Sequence, residues 1–187
     1  MKAPADLAGA ALTAPVAIAG WAIFAAPAIL VLLWLFGATD DRRAAIRATF
    51  VATAGLTISA IISSLYFHPR PFMDGASRNF LSHAVDSSFP SDHAAVLFAL
   101  AFSLVLSRSR KSRLGGAILL IVAPAVGWAR IFLGAHYPLD VVGGAGIGLT
   151  LAAAFALKPL RLGVDRVSDI VDWTYAALWS GFVGRAN

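Results

Sequence analysis

Apolar residues fill five long runs of this chain, at positions 16–36, 44–67, 91–107, 114–133 and 139–157. Each run is close to the roughly 20 residues with which an α-helix crosses the hydrocarbon core of a bilayer. All of them are much longer than the strands of a membrane barrel. The pattern therefore predicts an all-α, polytopic membrane helical bundle with five transmembrane helices in a single domain, 1–187.

The two ends of the chain show a different pattern. Residues 1–16 are rich in alanine and are interrupted by Pro4 and Pro15, which favours a surface or re-entrant segment. A sixth span is the alternative. At 164–182, apolar residues recur at helical spacing among charged ones. That spacing predicts an amphipathic helix lying at the membrane interface.

Composition supports a membrane protein. The chain is 59% hydrophobic and 13% charged, whereas soluble domains carry about 25% charged residues. It contains no cysteine, which excludes disulfides, thiolate catalysis and cysteine metal sites. In such a chain the net charge of +5 indicates loop orientation rather than binding to nucleic acid.

Most of the basic residues lie in three turns, at 39–47, 108–113 and 158–166. With five spans these turns share one face of the membrane, which the positive-inside rule makes cytoplasmic. Polar stretches at 68–90 and 129–140 then share the opposite face. We therefore expect a multi-pass protein of the bacterial inner (cytoplasmic) membrane, with both polar stretches facing the periplasm or outer leaflet.

One of these stretches places ionisable residues against apolar sequence. Arg130, His136 and Asp140 are costly there unless they have a function. Asp140 would lie in the first turn of a helix beginning at Pro138, where its carboxylate can orient the His136 imidazole and stabilise its charged form. The alternative is that Asp140 only caps the helix and that His136 is an interface histidine.

A second cluster stands at the start of the third span. Ser91 adds a hydroxyl to the free N–H groups of a helix N-terminus, which favours an anion. Arg70 and Arg130 are planar, bidentate donors suited to phosphate. Of the two histidines, only His136 has an obvious orienting carboxylate nearby in sequence, so His136 is the predicted nucleophile. His93 is the predicted acid that protonates the departing oxygen.

Together the clusters resemble the signature of the type 2 phosphatidic acid phosphatase superfamily, which reads Lys-six residues-Arg-Pro, Pro-Ser-Gly-His and Ser-Arg-five residues-His-three residues-Asp. The resemblance covers about 44–157, the expected catalytic core. It implies a metal-independent phosphohydrolase without a cofactor, which forms a phosphohistidine intermediate. The matching residues are Arg70, Pro71, Pro90, Ser91, His93, Arg130, His136 and Asp140.

The same resemblance implies a role for each matching side chain. His136 would carry the phosphoryl group, Asp140 would orient it, and His93 would protonate the leaving group. The phosphate would be bound by Arg70, Ser91 and Arg130. We also predict Asp92 as a residue of this phosphate-binding set.

The chain departs from the signature at three positions. The lysine is replaced by Ser63, and His68 or Arg78 is the hypothesised substitute. The glycine is replaced by Asp92, whose carboxylate would either point away from the phosphate or tune the neighbouring histidine. The serine of the third motif is Ala129.

Pro-Ser-Asp-His at 90–93, Gly-Ala-His-Tyr-Pro-Leu-Asp at 134–140 and the small size resemble the bacterial undecaprenyl pyrophosphate phosphatases linked to bacitracin resistance. That branch implies hydrolysis of the terminal phosphate of undecaprenyl diphosphate, a step of cell-wall (peptidoglycan) biogenesis. The partners would be a polyprenyl diphosphate substrate and membrane lipids. Another lipid phosphate, such as phosphatidylglycerophosphate, phosphatidic acid or lipid A phosphate, is the alternative substrate. A small membrane transporter is the non-enzyme alternative.

Two further interpretations concern the histidines. His68 and His83 are interpreted as loop histidines rather than catalytic groups. Two histidines and a carboxylate could bind zinc, but two arginines beside a dication are electrostatically unfavourable, so no metal is expected.

Overall fold

The computed structural model describes residue 3 and residues 9–183, apart from the side chains at 176 and 178–183. Every regular element in this part of the chain is helical, which confirms the all-α class. The elements are α1 (Ala10–Trp21), a 3-10 turn (Ala22–Phe24), α2 (Ala25–Phe36), α3 (Thr39–Leu65), α4 (Asp92–Val105), α5 (Arg110–Phe132), α6 (Pro138–Ala156) and α7 (Lys158–Val183).

Four helical segments in the described residues are long and apolar enough to cross a membrane, so the predicted five spans are not an exact count. The four are Ala10–Phe36, Thr39–Leu65, Arg110–Phe132 and Pro138–Ala156. The remaining predicted span is α4, an apolar helix of 14 residues. At about 1.5 Å per residue it falls short of a hydrocarbon core of about 30 Å. It packs between α3, α5 and α6, which shield it from lipid.

The prediction of a surface or re-entrant segment at 1–16 is wrong for residues 10–16. Residues from Ala10 onward belong to the helical segment Ala10–Phe36, which extends the first predicted span at 16–36. Alanine is the strongest helix former, so the alanine-rich sequence continues the helix, and Pro15 is accommodated inside α1. A separate sixth span is not formed by 10–16, and positions 1, 2 and 4–8 lie outside the described residues.

The C-terminal helix is longer than its predicted range of 164–182, since α7 begins at Lys158, directly after α6. Ion pairs attach it to the start of α3. Arg43 lies 2.5 Å from Asp169, and Arg47 lies 2.5 Å from Asp165. These contacts show where α7 packs, while its position at the membrane interface stays a prediction.

Close packing of α6 on α4 positions the functional end of the bundle. A Cβ atom added at Gly144 would lie 2.5 Å from the carbonyl oxygen of Ser91. The backbone N–H of Ser91 donates to the carbonyl of Asp140 at 3.0 Å. Helices α3, α4, α5 and α6 run in alternating directions, so the starts of α4 and α6 and the ends of α3 and α5 meet at this end. The loops at 66–91 and 133–137 therefore lie together, as the topology predicted.

Candidate active site

A tight turn between α5 and α6 places His136 in the bundle. Gly134 adopts a φ of 73°, a conformation that favours glycine, and the N–H of Ala135 donates back to the Arg130 carbonyl at 2.9 Å. Pro138 then starts α6, and the Asp140 carboxylate accepts from the Tyr137 N–H at 2.7 Å. Asp140 therefore caps α6, which was one of the two alternatives from sequence.

Capping does not exclude a contact with His136. Nδ1 of His136 donates to the Ser88 carbonyl oxygen at 2.9 Å and lies 3.6 Å from the Asp140 carboxylate. The direct acceptor is therefore a backbone carbonyl, and Asp140 adds negative charge slightly farther away. Because a carbonyl can only accept, the hydrogen is on Nδ1 and the lone pair on Nε2.

The free nitrogen of His136 faces a cation. Its Nε2 lies 3.4 Å from Nη1 of Arg70, and the side chain is almost fully buried. Burial lowers the pKa of His136 below its usual value; Asp140 opposes this shift, while Arg130 and Arg70 add to it. The imidazole is therefore neutral near pH 7, the form that a nitrogen nucleophile requires.

Arg70 is fixed by two acceptors besides this contact. Its Nε donates to Asp86 at 2.7 Å, and its Nη1 donates to the carbonyl of Ala135 at 2.9 Å. Only 4% of Arg70 is exposed. A buried guanidinium that donates to two fixed acceptors has its remaining N–H groups in a fixed direction. Bidentate recognition of phosphate requires such a fixed direction.

Arg130, which belongs to the third motif, contacts the histidine of the second motif. Its Nη1 lies 3.3 Å from Nε2 of His93, its Nη2 contacts Nε2 of His83, and 4% of the residue is exposed. The Nε of Arg130 is buried without a hydrogen-bond partner in the described part of the chain. The arginine thus contacts the predicted acid His93 and the loop residue His83, and it retains an unused donor.

Ser91 directly precedes α4 and is fully buried. Its hydroxyl has no hydrogen-bond partner among the described residues. An unpaired buried hydroxyl costs about 1–3 kcal/mol. A phosphate oxygen at the start of α4 would supply the missing partner, in agreement with the role implied by the second motif.

Asp92 differs from the other predicted phosphate ligands. It is exposed, and none of the described hydrogen bonds or ion pairs involves its side chain. A carboxylate directed at a bound phosphate would be repelled, so an exposed position is the physically favourable one. The structure does not bring Asp92 into contact with the arginines.

His83 is a site neighbour that the sequence interpretation missed. It lies in the loop, as expected, but it contacts Arg130, and its ring centroid is 6.3 Å from that of His136. Asn79 fixes its backbone through bonds of 2.8 and 2.9 Å. Burial first, and then Arg70 and Arg130, lower the pKa of His83 to about 4. No motif or spacing links residues so far apart, so the sequence carried no signal for this contact.

His68 is also more than a surface loop histidine. Its Nδ1 lies 2.8 Å from the Ser88 hydroxyl and 3.7 Å from Asp140. It therefore lies beside Asp140, and its replacement of the motif lysine stays a hypothesis. Ser63, at the lysine position, donates to the Phe89 carbonyl at 3.0 Å and so anchors the loop.

The other hypothesised substitute, Arg78, is exposed and lies over the ring of Phe80, 5.9 Å from its centroid. Arg130 is contacted by His83, another side chain of this loop. The described residues contain no group of three or more His, Asp or Glu side chains arranged to hold a metal ion.

An apolar groove of about 490 Å³ adjoins Asp140. Two of its lining side chains, Tyr66 and Leu139, are 57% and 75% exposed, so the groove opens at the surface of the bundle. The remaining lining residues are His68, Phe89, Tyr137 and Pro138.

The chain is similar to known proteins over most of its helical bundle. A model of the PAP2 superfamily matches residues 43–163. YbjG of Escherichia coli (strain K12) is 37% identical over 123 residues, which cover 66% of this chain and 61% of that protein. The chain thus spans less than two thirds of that relative. The undecaprenyl-diphosphatase BcrC of Bacillus subtilis (strain 168) is 38% identical over 138 residues, 74% of this chain and 69% of that protein.

The fold has a solved counterpart. The crystal structure of Aquifex aeolicus LpxE superposes with a TM-score of 0.59 at 24% identity, covering 76% of this chain and 81% of that chain. At this identity the likeness concerns the fold. With the family model matched over most of the helical bundle and the three motifs meeting at one end, the chain belongs to the PAP2 superfamily.

Proposed function

We propose that this chain is an integral-membrane, metal-independent lipid phosphatase that hydrolyses the terminal phosphate of undecaprenyl diphosphate through a phosphohistidine on His136. The observation that carries the proposal is the fixed orientation of that imidazole. Its Nδ1–H is bound to the Ser88 carbonyl at 2.9 Å, and its Nε2 lies 3.4 Å from the Arg70 guanidinium. A nucleophile beside a phosphate-binding cation is the arrangement that phosphoryl transfer requires.

In the first step, Nε2 of His136 attacks the terminal phosphorus and the bond to the bridging oxygen breaks. Arg70, Arg130 and the Ser91 hydroxyl bind the phosphoryl oxygens and stabilise their charge. His93 gives a proton to the departing lipid monophosphate. When a phosphate oxygen accepts from Nη1 of Arg130, Nε2 of His93 is released from its 3.3 Å contact and can carry that proton.

In the second step, water attacks the phosphohistidine and the phosphorus–nitrogen bond breaks. His93, now neutral, accepts the proton of the water, and inorganic phosphate leaves. The imidazole carries positive charge while it is phosphorylated. Asp140 lies 3.6 Å from Nδ1 and stabilises that charge. The interaction is strengthened because Asp140 is buried, where the dielectric constant is lower than in water.

Two observations support a polyprenyl substrate. The apolar groove beside Asp140 offers an apolar tail a path from the site to the surface of the bundle. BcrC of Bacillus subtilis is named an undecaprenyl-diphosphatase. The three basic turns support a site facing the periplasm or outer leaflet of the bacterial inner membrane.

The test compares phosphate release by purified protein in detergent from undecaprenyl diphosphate, phosphatidylglycerophosphate, phosphatidic acid and lipid A phosphate. We expect the highest kcat/KM for undecaprenyl diphosphate. His136→Ala should reduce activity by at least about 10⁴-fold, because it removes the nucleophile, while thermal unfolding remains cooperative.

A higher kcat/KM for one of the other three lipids would reassign the substrate within the same reaction. Activity that survives His136→Ala would contradict the covalent mechanism. Folded wild-type protein that releases phosphate from none of the four lipids would favour the transporter alternative.

A further inference from the structure

A second polar cavity lies at the end of the bundle opposite the candidate active site. Its volume is about 180 Å³, and it is enclosed by the starts of α3 and α7 and the ends of α4 and α6. Ala152 and Ala156 line it, whereas Asp140 of the candidate active site lies at the other end of the same helix. At about 1.5 Å per residue the two places are roughly 20 Å apart. The cavity is therefore a separate feature.

Arginines dominate the charge of this cavity. Arg43, Arg47, Arg108 and Arg161 line it. Arg43 is paired with Asp169, and Arg47 with Asp165, each at 2.5 Å. The positive charge that is left comes from the other two arginines.

Arg108 and Arg161 have side chains without a hydrogen bond or ion pair in the part of the chain that the structure describes. Arg108 is exposed in the turn between α4 and α5, while Arg161 is half-buried in the first turn of α7. The remaining carboxylate of the cavity is Asp40, which is exposed at the start of α3. Two uncompensated guanidinium groups against one carboxylate leave an excess of positive charge.

The cavity also holds unused hydrogen-bond donors. The Nε atoms of Arg43, Arg47 and Arg161 and the hydroxyl of Ser103 are buried and have no partner among the described residues. Each unpaired buried donor costs about 1–3 kcal/mol. Four of them around one cavity, beside excess positive charge, indicate a ligand that carries negative charge and several acceptor oxygens.

We infer that this cavity binds a phosphate group, presented either by the headgroup of an anionic phospholipid or by inorganic phosphate. Tetrahedral phosphate oxygens match several guanidinium N–H groups at once. The cavity lies at one end of α3 and α6, two helices apolar enough to cross a membrane, where a lipid headgroup is expected. An anion bound there contacts four helices, so it stabilises the folded bundle by mass action.

The experiment measures ligand binding to the full-length protein in detergent by native mass spectrometry and by the shift in Tm. The probes are phosphatidylglycerol and, separately, inorganic phosphate. One double variant, Arg108→Gln with Arg161→Gln, removes the two unpaired cations of the cavity. The matched control, Arg110→Gln with Arg166→Gln, removes two exposed arginines of the same segments that do not line it.

We expect the wild type and the control to bind phosphatidylglycerol with the same affinity and the cavity variant to bind at least about tenfold more weakly. Because both variants lose two positive charges, a general charge effect would weaken both alike. If the cavity variant bound inorganic phosphate more weakly than the control did, but bound phosphatidylglycerol equally well, free phosphate would be the ligand. The wild type and both double variants have the same active-site residues. Phosphate bound at the candidate active site therefore contributes equally to all three and does not affect the difference in affinity.

Equal affinity of both double variants for both probes would overturn the inference. The unliganded Tm of each variant reports folding, and the single variants Arg108→Gln and Arg161→Gln supply the comparison if the double variant is unstable. The result is independent of catalysis, since His136 and the other active-site residues are unchanged in every variant.

Discussion

The orienting contact of His136 is the residue-scale feature that most changes the expected effect of a mutation. Sequence spacing assigned the orientation to Asp140, four residues away. The structure adds the Ser88 carbonyl, which accepts the Nδ1–H at 2.9 Å, while the carboxylate lies at 3.6 Å. Tautomer selection therefore depends largely on a backbone group, and Asp140 contributes mainly charge.

We therefore predict that Asp140→Asn lowers kcat by about 10²-fold, a loss typical of one electrostatic group, rather than by the larger factor of a wrong tautomer. Asparagine retains an oxygen that can accept from the Tyr137 N–H, so the start of α6 stays capped. Steady-state phosphate release and thermal unfolding would be measured together. A kcat equal to that of the wild type would show that the carboxylate does not stabilise the charged intermediate.

His83 supplies a prediction about pH. Its pKa is lowered to about 4 in the folded protein, mainly by burial and then by Arg70 and Arg130, whereas an unfolded histidine has a pKa near 6.5. Between these values the unfolded state binds more protons, so stability rises with pH. The contribution of His83 is fully present above about pH 6.5 and is lost as the pH falls toward 4.

His83→Gln keeps an acceptor for Arg130 but does not titrate in this range. We expect the Tm of the wild type to fall more steeply than that of the variant between pH 6.5 and pH 4.5. Above pH 7 the two curves should run parallel, which is the internal control. Parallel curves over the whole range would mean that the pKa of His83 is not lowered in the folded state.

At the scale of the elements, the contact between α4 and α6 sets the geometry of the site. A methyl group at Gly144 would lie 2.5 Å from the Ser91 carbonyl and 2.9 Å from the backbone nitrogen of Ala95. The same addition at Gly146 meets nothing within 4 Å. The two glycines therefore form a matched pair on one helix.

We predict that Gly144→Ala lowers the free energy of unfolding by about 1–3 kcal/mol, because the backbones must separate, and that it also reduces phosphate release by displacing Ser91. Gly146→Ala should be neutral or slightly stabilising, since alanine favours a helix over glycine. Thermal unfolding and activity assays of both variants would check this. Equal effects of the two substitutions would show that the close approach of α4 and α6 is unimportant.

The helices also show which structural features follow from local sequence. The long apolar runs predicted the helical class. The alternation of long helices with polar turns predicted that the loop at 66–91 and the turn at 133–137 lie on the same side. The length of α4 could not be predicted in the same way. Its 14 residues suffice because neighbouring helices surround it, and that shielding is a property of the packing.

At the scale of the whole molecule, the sequence by itself determined the all-α membrane class, the PAP2 motifs and the local pair of His136 and Asp140. These depend on relations between residues close in the chain or on long uniform runs, which helix geometry and the bilayer constrain directly. Only the tertiary structure decided the contact of His83 with Arg130, the Ser88 carbonyl as acceptor for His136, and the arginine-lined cavity at the other end. Each of these joins segments dozens of residues apart, and their meeting depends on how the helices pack.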